Sequence, residues 1–317
     1  MKHFFSNLIF FLLANMLFAQ QDPQFGLNMF NHMAVNPGYA GANGAICATA
    51  INRQQWVGFD GAPKTTVFSI NSPVKLVGIN SGVGLTVLSD NIGFEKNLGI
   101  NLAYAYRLKL GDGELGIGFN IGILNKAIDG KWISPDSQTG GGNVYDDQSV
   151  PHSESKVTLD LGLGAYYIAS VNKNDEFYVG LSTSHLNESE IKYQSASPYL
   201  KRHYYLAAGY SYQLPSQVFE LRPSIFLKSD GVVSTLDINA TLRYNKRVFG
   251  GISYRADTDI VALIGVEFVN NLHFAYGYEI VTSDIKGNTS GTHEFMIGYC
   301  FNIVKTKKKS KYGSVRY

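Results

Sequence analysis

The feature that most constrains this chain is alternation of apolar and non-apolar residues with a period of two, sustained over long segments. From Asn97 to Leu110, the residues Leu98, Ile100, Leu102, Tyr104, Tyr106, Leu108 and Leu110 share one parity. Asn97, Gly99, Asn101, Ala103, Ala105, Arg107 and Lys109 share the other. A β-strand sends successive side chains to opposite faces, so this segment carries one apolar wall and one small or polar wall. A helix would scatter the same residues around its circumference. The pattern returns at Leu115–Ile123, at Leu272–Ile280 and at Phe295–Phe301.

Extended along the chain, the pattern predicts strands at 44–56, 63–72, 81–89, 96–110, 113–125, 155–169, 175–185, 202–213, 217–228, 233–244, 247–256, 259–269, 271–281 and 292–303. The total is fourteen, and single-chain bacterial barrels have an even strand number. The connections give an independent test. One alternating set is short, at Leu110–Gly113, Asn172–Asp175, Leu214–Ser216, Asn245–Lys246 and Asn270. The other holds every long connection: Lys126–Glu154, Leu186–Lys201 and Thr282–Gly291. Short periplasmic turns and long outer loops are the asymmetry of an outer-membrane barrel, and a soluble β-sandwich gives no reason for it. Charge agrees. Only 16% of residues are charged, against about 25% in ordinary globular domains, too few to cover a soluble surface. The expected fold is therefore an all-β, antiparallel, up-and-down transmembrane barrel of about fourteen strands in the outer membrane of a Gram-negative-type cell.

The flanks differ from the repeat. Residues 1–19 have a Lys near the start, an apolar run from Leu8 to Leu13 and a small residue at Ala19, the layout of a cleaved signal peptide. Residues 20–42 carry Pro23 and Pro37 and form no strand, so they are expected in the periplasm or folded into the lumen as a plug. Residues 43–304 make the barrel, and 305–317 form a basic tail, with both chain ends expected in the periplasm. The tail could meet lipid headgroups or simply be solvated.

Chemical signatures are sparse. The His residues lie at 3, 32, 152, 185, 203, 273 and 293, and no HExxH, CxxC or GxSxG occurs. No metal, cofactor or catalytic residue is therefore expected, and the chain reads as a non-enzyme. His273 and His293 are expected to line the lumen. The Gly-x-Gly pairs at 82/84, 116/118 and 162/164 sit inside strands and open no helix, so they are not phosphate loops. Small residues at period two instead let something fit closely against the inner wall, which favours a filled lumen over an open pore. A net charge of +2 gives no reason to expect nucleic acid. Cys47, in the first strand, and Cys300, in the last, fall at similar depth where a closed barrel brings those strands together. A disulfide there would seal the seam; two unpaired thiols is the simpler alternative, because the face on which Cys47 stands is not fixed by the pattern.

A set of ordered blocks then identifies a resemblance. They are Asp22-Pro23-Gln24-Phe25, Met29-Phe30-Asn31, Asn36-Pro37-Gly38-Tyr39-Ala40-Gly41 and Arg53-Gln54-Gln55-Trp56-Val57-Gly58, followed by Gly61-Ala62-Pro63 and Thr65. Gly82-Val83-Gly84, Asp90-Asn91-Ile92-Gly93, Tyr104-Ala105-Tyr106 and Thr292-His293-Glu294-Phe295 continue the series. Together these resemble the PorP/SprF family of Bacteroidota, although Gly38 stands where that family more often has Ala. The resemblance implies a non-enzymatic outer-membrane component of the type IX secretion system. It would support secretion or surface attachment of large proteins, gliding adhesins among them, through their C-terminal targeting domains. Implied partners are that cargo, other components of the system, periplasmic peptidoglycan-associated proteins and outer-membrane lipid. The alternative that the fold alone permits is a transporter or porin for hydrophobic or small solutes. On position alone, Arg53 and Trp56 are expected at the outer end of the first strand, with Trp56 in the interfacial belt.

Overall fold

The computed structural model describes residues 22–129, 153–194, 197–256, 258–269 and 271–301. The expected signal peptide, the basic tail and most of the connection after Lys126 lie outside these residues. The strands are β1 (Ile46–Gln54), β2 (Lys64–Leu76), β3 (Ile79–Ile92), β4 (Glu95–Leu110), β5 (Gly113–Ile128), β6 (Glu154–Ser170) and β7 (Glu176–Ser184). They continue as β8 (His203–Gln213), β9 (Phe219–Ser229), β10 (Ser234–Tyr244), β11 (Val248–Arg255), β12 (Asp259–Glu267), β13 (Leu272–Val281) and β14 (Thr292–Phe301). Each pairs antiparallel with its neighbour in sequence, and β14 pairs with β1, so the sheet closes. Fourteen strands with short and long connections alternating between the two ends match the expectation.

Parity decides which side each residue faces. Ile117, Phe119, Ile121 and Ile123 of β5 are exposed on the outer wall, as are Phe295, Ile297, Tyr299 and Phe301 of β14. In water this would be one continuous apolar patch; lipid is the solvent that suits it. Tyr106, Tyr212, Tyr244, Tyr299 and Phe301 stand on the outer wall near the short-turn end, where aromatic side chains bridge hydrocarbon and headgroups. The β2–β3 connection is the two-residue turn Val77–Gly78, with φ of 51° and 83°, the left-handed geometry whose twist matches a hairpin.

The interior holds residues 22–45. This segment contains short helical turns at Asn28–Phe30, His32–Val35 and Pro37–Tyr39, the last started by Pro37 after Asn36, whose side chain accepts from Gly38 N at 2.9 Å. Its hydrogen bonds reach Asp237 of β10, Glu294 of β14, backbone carbonyls of β6 and β7, Arg107 of β4 and Asn71 of β2. A segment bonded to strands all around a closed sheet lies within it. Asp22 stands beside the end of β7 and the start of β8, at the long-connection end. Ala45 leads into β1 at the short-turn end. The strand ends of β1 and β14 share that end, as expected, but the first described residue stands at the opposite one. The reason is length: residues 22–45, partly extended and partly in single helical turns, cover a strand's height once.

Candidate functional site in the barrel interior

The inner wall carries the charges. Arg53 of β1 is 2% exposed and grips Glu279 of β13 with both guanidinium nitrogens, at 2.8 and 2.9 Å. It also pairs with Glu294 of β14. Arg255 of β11 bonds Asp237 of β10 at 2.9 Å and lies near Asp259 and Glu279, at 3.2 and 3.4 Å. The inner segment completes this network. Gly26 N and Leu27 N donate to the two oxygens of Glu294 at 2.7 and 2.8 Å, while Gln24 and Asn28 donate to Asp237 at 3.1 and 2.9 Å. Buried charges are tolerated only when paired in this way. Below the network, Phe25, Leu27, Ile51, Val67 and Met296 form an apolar cluster.

Halfway down, the Gly-x-Gly pairs take their meaning from the same segment. A Cβ on Gly82 would fall 1.9 Å from the Ala40 carbonyl oxygen, and one on Gly116 would fall 2.1 Å from that of Gly38. One on Gly164 would fall 2.2 Å from Asn36 Oδ1, and one on Gly118 would fall 2.5 Å from Pro37. The wall is glycine where the backbone of residues 36–41 lies against it. Gly41 itself has φ of 73°, and its amide donates to Asn71 at 3.1 Å. Tyr39, His32, Tyr166 and Tyr178 pack as a ring cluster with centroids 5.0–5.7 Å apart.

At the long-connection end, Asp22 is a hub. Its carboxylate meets His185 Nε2 at 2.9 Å and accepts from Tyr205 and from Ser184 Oγ. His185 turns its other nitrogen to Asp160, at 2.8 Å. Burial opposes the charge on His185, but Asp22 and Asp160 outweigh it and raise its pKa to about 10. Burial likewise opposes the Asp22 charge, and His185 with His203 holds that carboxyl well below the usual range.

The family blocks thus fall into three places. Asp22, Gln24, Phe25, Arg53 and Glu294 meet in the upper interior, and Asn36, Pro37, Tyr39 and Gly41 lie against the glycines. Gln55, Trp56, Gly58, Pro63 and Gly93 shape the rim. There Gln55 N bonds Pro63 O at 2.9 Å, Gly93 N bonds Gly61 O at 2.8 Å, and Trp56 and Gly58 have φ of 49° and 112°. Asp90 accepts from Thr65 at 2.6 Å on the inner wall. Arg53 stands at the end of β1 that leads to Trp56 and points inward, on the parity of Cys47 and Ile51. One expectation needs correction. His293 is not in the lumen: Glu294 takes the inward position, and His293 stands on the outer wall against the Tyr276 hydroxyl at 2.7 Å. His273 does face inward and is buried. Cys47 faces inward too, directly across from Cys300, with Cα atoms 4.1 Å apart and the sulfurs bonded. The pattern around His185 and His203 escaped sequence reading because 18 residues, 185–202, intervene between β7 and β8, and only the strand pairing joins them.

A closed fourteen-strand sheet, an apolar outer wall and a charged, filled interior define an outer-membrane β-barrel. Known proteins agree at that level. The chain matches the toluene transporter TbuX of Ralstonia pickettii with a TM-score of 0.48 at 12% identity, over 85% of this chain and 92% of that one. It matches the TodX ΔS2S3 mutant, a monoaromatic hydrocarbon channel, with a TM-score of 0.50 at 10% identity, over 86% and 94%. Likeness at such identity speaks for the fold alone. No curated protein matches the sequence. The family profile described as type IX secretion system membrane protein PorP/SprF matches residues 17–299. The chain belongs to that family.

Proposed function

We propose that this barrel is a non-enzymatic docking component of type IX secretion, which helps export or attach large surface proteins, gliding adhesins among them, through their C-terminal targeting domains. One observation carries the reading. Hydrogen bonds join residues 22–45 to the inner wall, and family-block residues Gln24, Gly41 and Glu294 take part in them. A barrel filled in this way works through its rims and outer surface, not through a pore. In this orientation the long connections face the outside and β14 ends at the periplasm, where the other secretion components and peptidoglycan-associated proteins would meet it. The signal peptide at residues 1–19 would deliver the chain there.

Two measurements test this. In planar bilayers, the purified protein should be electrically silent and pass no small solute. Deleting its gene should leave a particular large secreted protein trapped inside or lost from the surface. Normal export of all such proteins, together with conductance or solute uptake, would replace the proposal with the transporter reading. Cavities of about 120 and 130 Å³ flank the segment toward the two ends and would be the stations of such a path.

A further inference from the structure

We propose that Asp22, His185 and His203 form a binding site for one divalent transition-metal ion, zinc being the natural candidate, which staples the start of the inner segment to the β7–β8 wall. The three side chains offer one ligand atom each, all within 4.8 Å of one another. The case rests on how the two imidazoles are held. His185 Nδ1 is engaged by the Asp160 carboxylate at 2.8 Å, and His203 Nδ1 by the Lys201 carbonyl at 2.9 Å. Both Nε2 atoms face the same residue: His185 Nε2 is 2.9 Å from Asp22 Oδ1, and His203 Nε2 accepts from Asp22 N at 3.3 Å, a hydrogen bond that the ion would replace, while His203 Nδ1 lies 3.7 Å from Asp22 Oδ2. Metal-binding histidines have this second shell, with one nitrogen fixed by a carboxylate or carbonyl so that the other is oriented for the ion. Two neutral imidazoles and a carboxylate are a donor set that zinc accepts, leaving a further position open.

The surroundings fit. The cavity of about 130 Å³ beside the three side chains is also lined by Asp90, Lys126 and Asp160, giving an ion a way in and room for a water ligand. Asp22 and Asp160 supply the negative charge beside the site, and the Lys228 ammonium donates to the Asp22 carbonyl at 2.7 Å. Coordination displaces the proton shared between His185 Nε2 and Asp22. The ligands come from three separate parts of the chain: the segment before β1, the residue after β7 and the first residue of β8. A metal there would fix the inner segment by its outer end without any contribution to catalysis.

The test uses the mature, full-length protein in detergent, without a polyhistidine tag and stripped with a chelator. Zinc is titrated calorimetrically, and cobalt(II) by its visible absorption. The expected result is one ion per chain, with micromolar or tighter zinc affinity and a cobalt spectrum showing nitrogen ligation. His185→Ala, His203→Ala and Asp22→Ala should each weaken zinc binding at least roughly tenfold, while His293→Ala, on the outer wall, should leave it unchanged. Asp160→Asn keeps all three ligands and should weaken binding by about 10- to 100-fold with the stoichiometry retained, a readout that holds even if the alanine variants fold poorly. The site is refuted if the wild-type protein binds no zinc up to about 1 mM, or if binding survives in the His185→Ala/His203→Ala double variant.

Discussion

Replacing Arg53 by Met is the sharpest test of what holds the inner segment. Arg53 is 2% exposed, and it neutralises Glu279 and Glu294 from the same position. Methionine fills much of the volume but brings no charge. Glu279 would keep Arg255, at 3.4 Å, as its cation, and Glu294 would keep the amides of Gly26 and Leu27. Breaking a buried pair from one side costs about 3–5 kcal/mol, because the remaining charge stays desolvated. With a urea slope of about 3 kcal/mol/M, the unfolding midpoint should fall by roughly 1–1.7 M. Replacing the acids as well should recover most of the loss, since neutral partners of similar shape leave no orphan charge. The assay is urea unfolding in detergent, followed by tryptophan fluorescence, for Arg53→Met and for Arg53→Met/Glu279→Gln/Glu294→Gln. A single variant that loses under about 1 kcal/mol, or a triple variant no better than the single one, would refute the account of the network.

Three further outcomes follow from the packing. Gly118→Val would push a side chain into Pro37, so limited proteolysis should cut within residues 22–45 and bilayer current should appear; a protected, silent variant would reject the close-approach argument. Denatured, unreduced protein should give no thiol signal, and Cys47→Ala/Cys300→Ala should lose about 2–4 kcal/mol of stability; two titratable thiols would end the seam disulfide. His32 packs against the Tyr39, Tyr166 and Tyr178 rings, so His32→Ala should lower the unfolding midpoint; an unchanged midpoint would reject a stabilising role for this cluster.

The barrel was legible because a strand's parity is local information. Leu98 to Leu110 declare an outer wall with no knowledge of any partner strand, and the loop lengths orient the whole. The interior was legible only as a vacancy. Gly82, Gly116 and Gly118 announced that something fits close, but not that it would be Ala40, Gly38 and Pro37. Arg53 was placed at the right end of its strand, but its partners were not legible. Its parity with Ile51 already pointed inward, and the acids that make this affordable lie more than 220 residues away. The Asp22–His185–His203 group had no signature at all, since its spacing is set by the pairing of β7 with β8 and by a segment that crosses the lumen.

That crossing constrains how the barrel assembles. Residues 22–45 cannot enter a finished barrel by sliding, because the wall glycines leave no clearance beside residues 36–41. A segment laid down while the sheet is still open needs no such passage, and the seam that joins the first strand to the last is β1 with β14. Both of those strands carry its anchors. Glu294 of β14 accepts the Gly26 and Leu27 amides, and Arg53 of β1 pairs with that same Glu294. Closing the seam therefore completes the charge network, and the network is complete only with the segment inside. The Cys47–Cys300 pair stands in the same two strands, nearer the short-turn end. An empty barrel would leave Glu294 without its backbone donors and Asp237 without Gln24 and Asn28. Closure around the segment thus makes hydrogen bonds that closure around an empty lumen lacks, and Gln24 and Glu294, which take part in them, lie in the family blocks.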